Sequence, residues 1–186
     1  MKWNKKNNIA AGFIFFALLM SSTAVPAPSL TISQDPSGAS SADVIVALSN
    51  DTPTMAYPPV SALQFDVIYD QSQLVVNGNP QLGSAAASYQ LSSSTLSGGV
   101  IRLVLSPPLN DNHYSLEEGP LLKLSFSSVP GAGNSPTTLT LSGVVFSDET
   151  ASMIAPGTLG SGTVTPPNAG TFNARARWSL EALSAP

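Results

Sequence analysis

The sequence predicts an all-β domain, an antiparallel sandwich of about nine short strands. Three observations carry that expectation. Short apolar runs with period-two alternation recur along the chain, separated by clusters of Gly, Pro and Ser. No helical period of useful length appears in the body of the chain. The composition is rich in turn formers and poor in charge: 14 Gly and 16 Pro in 186 residues, with only 10% charged. A hydrophobic content of 42%, in regularly spaced runs, is enough to build a core. The length suits one domain with a tail.

A targeting segment precedes the domain. Lys2, Lys5 and Lys6 form a basic start, followed by the apolar run "IAAGFIFFALLM" at 9–20. A bilayer span needs roughly 20 apolar residues, and this run is shorter. Small residues at Ser22 and Ala24 fit signal-peptidase cleavage after Ala24. Cleavage after Ala27 would leave Pro28 first, which is unfavourable. Residues 1–24 are therefore read as a signal peptide, with an uncleaved anchor as the alternative. After cleavage no membrane span remains, and the expected location is extracellular or periplasmic. Beyond Ala24 stand four basic residues against eleven acidic ones, a net of −7. That balance has no basic stripe to neutralise phosphates and excludes nucleic acid as a partner. Cysteine is absent, so the fold relies on its core and not on disulfides.

The strands follow in order. "SLTIS" is the first. "ADVIVALS" sets Val44, Val46 and Leu48 against Ile45 and Ala47, the pattern of a strand covered on both faces. "DTPTMAYPP" is a loop by its prolines. In the strand at 60–70, the inward set is Leu63, Phe65, Val67 and Tyr69, and the outward set Ala62, Gln64, Asp66 and Ile68. "QLVVNG" and "ASYQLSS" come next, and Gly98-Gly99 marks a hairpin turn. "VIRLVLS" places Ile101, Leu103 and Leu105 on one face and Arg102, Val104 and Ser106 on the other. "LLKLSFSSV" points Leu122, Leu124 and Phe126 inward. "TTLTLSGVVFSD" is a strand pair or one bulged strand broken at Gly143. "GTLGSGTVT" closes the domain. From Pro166 the composition shifts to a proline-led tail, 166–186, which holds Trp178 and reads as frayed.

The stretch "VSALQFDVIYDQSQLVVNGNPQLG" resembles the signature of cohesin domains: a strand ending in Tyr-Asp, a short turn, then Leu leading into the next strand. "GGVIRLVLSPP", "GPLLKLSFSSVPGAGNSPTTLTLSGVVFSD" and "GTLGSGTVT" continue the match in order, over about residues 29–165. The resemblance implies a nine-stranded jelly-roll sandwich, related in fold to carbohydrate-binding modules. It also implies a binding function. In that family a flat sheet face grips a dockerin, a small calcium-loaded helical module attached to a polysaccharide-degrading enzyme. The calcium belongs to the dockerin, so no cofactor or metal is expected here. Well-studied cohesins carry Asn and Asp on that face where this chain has Ala62 and Gln64. Val104 matches a position that supplies an apolar contact. The expected partner-binding face is Ala62, Gln64, Asp66, Arg102 and Val104, extended by Thr138 and Thr140. The partner is a dockerin-like or other secreted protein, and a dockerin of the best-known type should bind weakly or not at all. Tyr69, Asp70 and Leu74 are read as fold-making residues: a core cap, an Asx-turn acceptor and an edge seal.

Two other functions fit these residues less well. Catalysis has little support. His113 is the sole histidine, in "PPLNDNHYSLEEG" beside Asp111, Glu117 and Glu118, which gives neither a triad nor a ligand set of metal-binding geometry. Neighbouring carboxylates such as Glu117 and Glu118 rarely flank a glycosidic bond. Direct polysaccharide binding is the alternative function. Its candidates are Tyr57, Tyr89 and Tyr114, the aromatics not assigned inward within the domain.

Overall fold

The computed structural model describes residues 26–36, 42–50, 58–108, 115–133 and 135–166. The signal segment and nearly all of the tail, with Trp178, lie outside the described residues, as do Tyr57, His113 and Tyr114. Among the described residues the elements are β1 (Pro28–Gln34), β2 (Ala42–Asn50), β3 (Ala62–Ile68), β4 (Leu74–Val76), β5 (Gln81–Leu82), a 3-10 turn (Ser84–Ala86), β6 (Gln90–Leu96), β7 (Val100–Ser106), β8 (Gly119–Ser128), β9 (Thr137–Ser147), β10 (Met153–Ile154) and β11 (Gly162–Val164). Nine of these strands have three or more residues. The two further strands, β5 and β10, are two-residue pieces that alternation cannot reveal.

The strands form two antiparallel sheets. One runs β1-β2-β8-β4, with β5 also on β8. The other runs β10-β9-β3-β7-β6, with β11 also on β9. Their inner faces meet in one core, as two half-buried sheets must. Leu63, Phe65 and Val67 from β3 face Leu122, Leu124 and Phe126 from β8 across that core, all essentially inaccessible. Tyr69 caps it, its ring centroid 5.4 Å from that of Phe126.

The Tyr-Asp corner behaves as its residue types dictate. Asp70 Oδ1 accepts the Ser72 backbone N–H at 2.8 Å and the Ser72 hydroxyl at 2.7 Å. This turn returns the chain to the core at Leu74, which is buried. The Tyr69 N–H donates to the Gly99 carbonyl at 2.8 Å. Gly99 sits at φ +74°, and a Cβ there would stand 2.2 Å from the Tyr69 carbonyl oxygen. Only glycine allows the β6–β7 hairpin turn to lie this close to the corner.

Bulges account for what alternation misplaced. Leu121 and Leu122 are both fully buried although adjacent. The β2–β8 register shifts between Val46 and Ala47, which leaves Leu121 as the extra residue and turns it inward. β9 is one bulged strand: Gln64 opposes Val145 and Asp66 opposes Ser142, so two residues of β9 face Phe65 alone. The expected strand at "ASYQLSS" is displaced. Its first three residues, Ala87 to Tyr89, are a turn and bend that follow the 3-10 turn, and the Tyr89 N–H donates to the Ala86 carbonyl at 2.9 Å. The strand starts only at Gln90.

Closure comes from the far end of the domain. Leu30 N–H donates to the Thr158 carbonyl at 3.2 Å, and Gly157 and Gly160 N–H donate back to Pro28 and Leu30 at 2.8 Å each. Leu30 and Leu159 form a parallel bridge, whereas the strand pairs among the described residues are antiparallel. The chain then crosses to the second sheet, where β11 pairs with β9.

Candidate functional site

The outer face of the six-stranded sheet gathers the residues that the sequence singled out. Cross-strand partners lie side by side on one face, so the registers define three rows. The middle row is Ser142, Asp66, Arg102 and Ser94, across β9, β3, β7 and β6. One row beside it is Val145, Gln64, Val104 and Ser92. The other is Thr140, Ile68, Val100 and Leu96. Val145, Ile68 and Leu96 are each about two-fifths exposed, which is high for large apolar side chains. The face is therefore apolar, then ionic, then apolar, with the outer rows two strand positions either side of the middle.

The ion pair is bidentate. Arg102 Nε donates to Asp66 Oδ1 at 2.8 Å and Arg102 Nη2 to Asp66 Oδ2 at 2.9 Å. Such fork-to-carboxylate pairs fix geometry as well as charge. The Asp66 side chain is 12% exposed, whereas that of Arg102 remains 45% exposed. The hydrogen bonds from Arg102 hold the Asp66 carboxyl below its ordinary 3.8, with the guanidinium charge adding and burial opposing. A depressed folded value contributes stability above 3.8 and loses it as the pH falls through the lower folded value. A carbon-detected titration of the Asp66 carboxyl should show a midpoint below 3.8, returning towards it in Arg102→Ala. A wild-type midpoint at or above 3.8 would contradict the pairing.

Gly143 makes room for this pair. It lies in the β9 bulge at φ +57°, and a Cβ there would come 3.3 Å from Asp66 Oδ2. Gly143→Ala combines a left-handed backbone penalty of roughly 1–2 kcal/mol with a push on the carboxylate. The expected result is a lower denaturation midpoint and a rise in the Asp66 pKa. An unchanged midpoint would show that the bulge tolerates a side chain.

A second cluster lies on the other sheet. Lys123 Nζ donates to Asp43 Oδ2 at 2.6 Å and to Asp35 Oδ2 at 3.0 Å. These hydrogen bonds, Asp43's first and then Asp35's, raise the Lys123 pKa and keep it charged. The cluster ties the end of β1 to β2 and β8. Among the described residues no group of three or more His, Asp or Glu is placed to hold a metal ion. No helix among them is long and apolar enough to cross a membrane.

No family model matches the sequence, and no curated protein does. Solved structures do match in shape. A non-cellulosomal cohesin from Archaeoglobus fulgidus superposes with a TM-score of 0.55 at 18% identity, covering 83% of this chain and 98% of that one. The sixth cohesin of scaffoldin B from Acetivibrio cellulolyticus, solved with a Cel5 dockerin, gives 0.56 at 21% identity, over 75% and 98%. A type I cohesin from Clostridium thermocellum, solved with its dockerin, gives 0.58 at 13% identity, over 78% and 98%. The chain has the cohesin fold.

On that cohesin sandwich Gln64 and Val104 are direct cross-strand neighbours, and so are Asp66 and Arg102. Ala62 lies one step further along, opposite Ser147. Thr140 extends the face beside Ile68, and Thr138 lies at its margin beside Thr163 of β11. The sequence reading missed Val145, because the bulge reverses the alternation of β9 after Ser142. It also missed the apolar row of Ile68, Val100 and Leu96. The signals were present in Gly143 and in the outward phase of Ile68. One expectation is corrected: Tyr89 is 6% exposed and offers no stacking face to a sugar. Its N–H closes the turn on Ala86, which swings the ring inward. Glu117 and Glu118 are exposed neighbours in a connecting segment.

Proposed function

We propose that this cohesin-fold domain is a non-catalytic protein-binding module, and that its partner sits on the outer face of β9, β3, β7 and β6. The observation that carries this reading is the juxtaposition on one flat face of exposed apolar side chains with a half-exposed, fixed guanidinium. Interfaces draw their affinity from a few desolvated apolar and Arg anchors. A standard interface takes about 800 Å² from each partner, and a face of four strands supplies an area of that order. The neighbours solved with dockerins support a dockerin-like partner, a small helical module. Ala62 and Gln64 offer neither the carboxylate nor the shorter amide expected there, so selectivity should differ from that of familiar pairs. Residues 1–24 would direct export, and residues 29–165 would act outside the cytoplasm, in a setting of polysaccharide degradation. No catalytic group or cofactor is part of this reading.

Capture tests it. The immobilised domain is exposed to a panel of purified dockerins, to the extracellular protein of its source and to insoluble polysaccharide. The expected result is specific capture of an extracellular protein, weak or no binding of standard dockerins, and no retention on polysaccharide. Retention on polysaccharide without any protein partner would replace this reading with direct glycan binding.

A further inference from the structure

The four outer edges of the two sheets are not treated alike. The outer edge of β8 is divided between β4 and β5, of three and two residues. The outer edge of β9 is divided between β11 and β10, again of three and two residues. The edge of β1 is bonded by the segment 157–160. These are the ordinary ways of blunting a sheet edge: very short strands or a covering segment. β6 is different. It is a seven-residue strand, paired with β7 on one side and, among the described residues, with nothing on the other.

β6 also lacks the usual chemical protection. "QLSSSTL" holds no charge, no proline and no bulge. The neutral stretch is longer still: residues 71–101 contain no charged residue, in a chain that has 18. Six of the seven β6 positions are exposed, including Ser93 and Thr95, which alternate towards the inner side. The inner side of the strand is thus left open among the described residues.

We infer that β6 is a strand-addition edge, and that it takes the β6 of a second copy of this chain in antiparallel register centred on Ser93. A two-fold axis normal to the sheet sets Ser93 against Ser93, Ser92 against Ser94, Leu91 against Thr95 and Gln90 against Leu96. No charges meet, and small hydroxyl side chains oppose one another, a favourable cross-strand pairing. Two chains of net charge −4 approach where repulsion is least. The nearest charge on the face is Arg102, beside Ser94 and already paired with Asp66. A seven-residue strand is about 23 Å long, and its pairing covers well under the area of a standard interface. The dimer is accordingly weak and concentration-dependent, micromolar or weaker. This axis keeps both outer faces on the same side, so the two copies present one continuous surface. The inference stands independently of which partner that surface takes.

Sedimentation of the full chain over a concentration series tests it, together with single-cysteine variants, since the chain has no cysteine of its own. A reversible monomer–dimer equilibrium is expected. Ser93→Cys should cross-link under mild oxidation at least tenfold faster than Thr95→Cys, whose two copies lie about 13 Å apart along the strands. Ser93→Lys places like charges on the two-fold axis and should abolish the dimer with the thermal midpoint unchanged. Equal cross-linking of the two cysteine variants, or a chain that stays monomeric at millimolar concentration, overturns the inference. So does protection of the β6 amides from hydrogen exchange in the monomer, which would mean that the chain itself covers the edge.

Discussion

Phe65→Ala lowers the stability of the domain by about 3–5 kcal/mol. Phe65 is fully buried at the middle of β3, opposite Leu103 of β7 and the bulge of β9. Removing its ring leaves a cavity between two sheets whose backbones are pinned by their ladders, so collapse around it is limited. Domains of this size are stable by about 5–15 kcal/mol in all, and the loss corresponds to a fall in thermal midpoint of roughly 10–20 °C. Equilibrium unfolding in denaturant measures it. A midpoint unchanged by the substitution would mean that β3 faces the other way, because a slip of one residue exchanges the two faces of a strand.

The second large effect is on binding. Val104→Asp puts a carboxylate between Gln64 and Ser92, in the apolar row next to the Asp66–Arg102 pair. In the free domain the new charge is solvated at a half-buried position and competes for Arg102, at little cost to the fold. Under a partner it is desolvated without a counter-charge. Central anchors of an interface are worth 2 kcal/mol or more, so affinity for the captured partner should fall by about 30-fold or more. Calorimetric titration of the wild-type and variant domains decides it, with a thermal melt to confirm that both are folded. Equal affinity would remove this face as the interface and direct attention to the segment around Tyr114.

Alternation alone located most of the core. Leu63, Phe65, Val67 and Tyr69, and likewise Leu122, Leu124 and Phe126, face inward as a period of two requires. It failed wherever a strand carries an extra residue. Leu121 lies in a bulge and Val145 beyond one, and a bulge depends on the register between two strands far apart in sequence. The same limit applies to the site. Asp66 and Arg102 were placed on one face from their own strands, but their bidentate bond needed the β3–β7 register across 36 residues. Tyr89 was misjudged because a single turn, closed on Ala86, decides whether its ring meets water or the core.

The segment that covers β1 has a kinetic consequence. Ser29 accepts a hydrogen bond from Thr158, 129 residues later, and the neighbouring backbone bonds from 157–160 all reach back to Pro28 and Leu30. The outer edge of the first strand, whose inner edge pairs with β2, therefore waits for one of the last pieces to be synthesised. Chains dominated by such non-local pairings fold slowly, in milliseconds to seconds, because loop closure precedes any stabilising contact. A chain threaded through a membrane from its N-terminus would stay unfinished until almost the whole domain had emerged. The order of the strands along the chain thus itself delays closure of this edge.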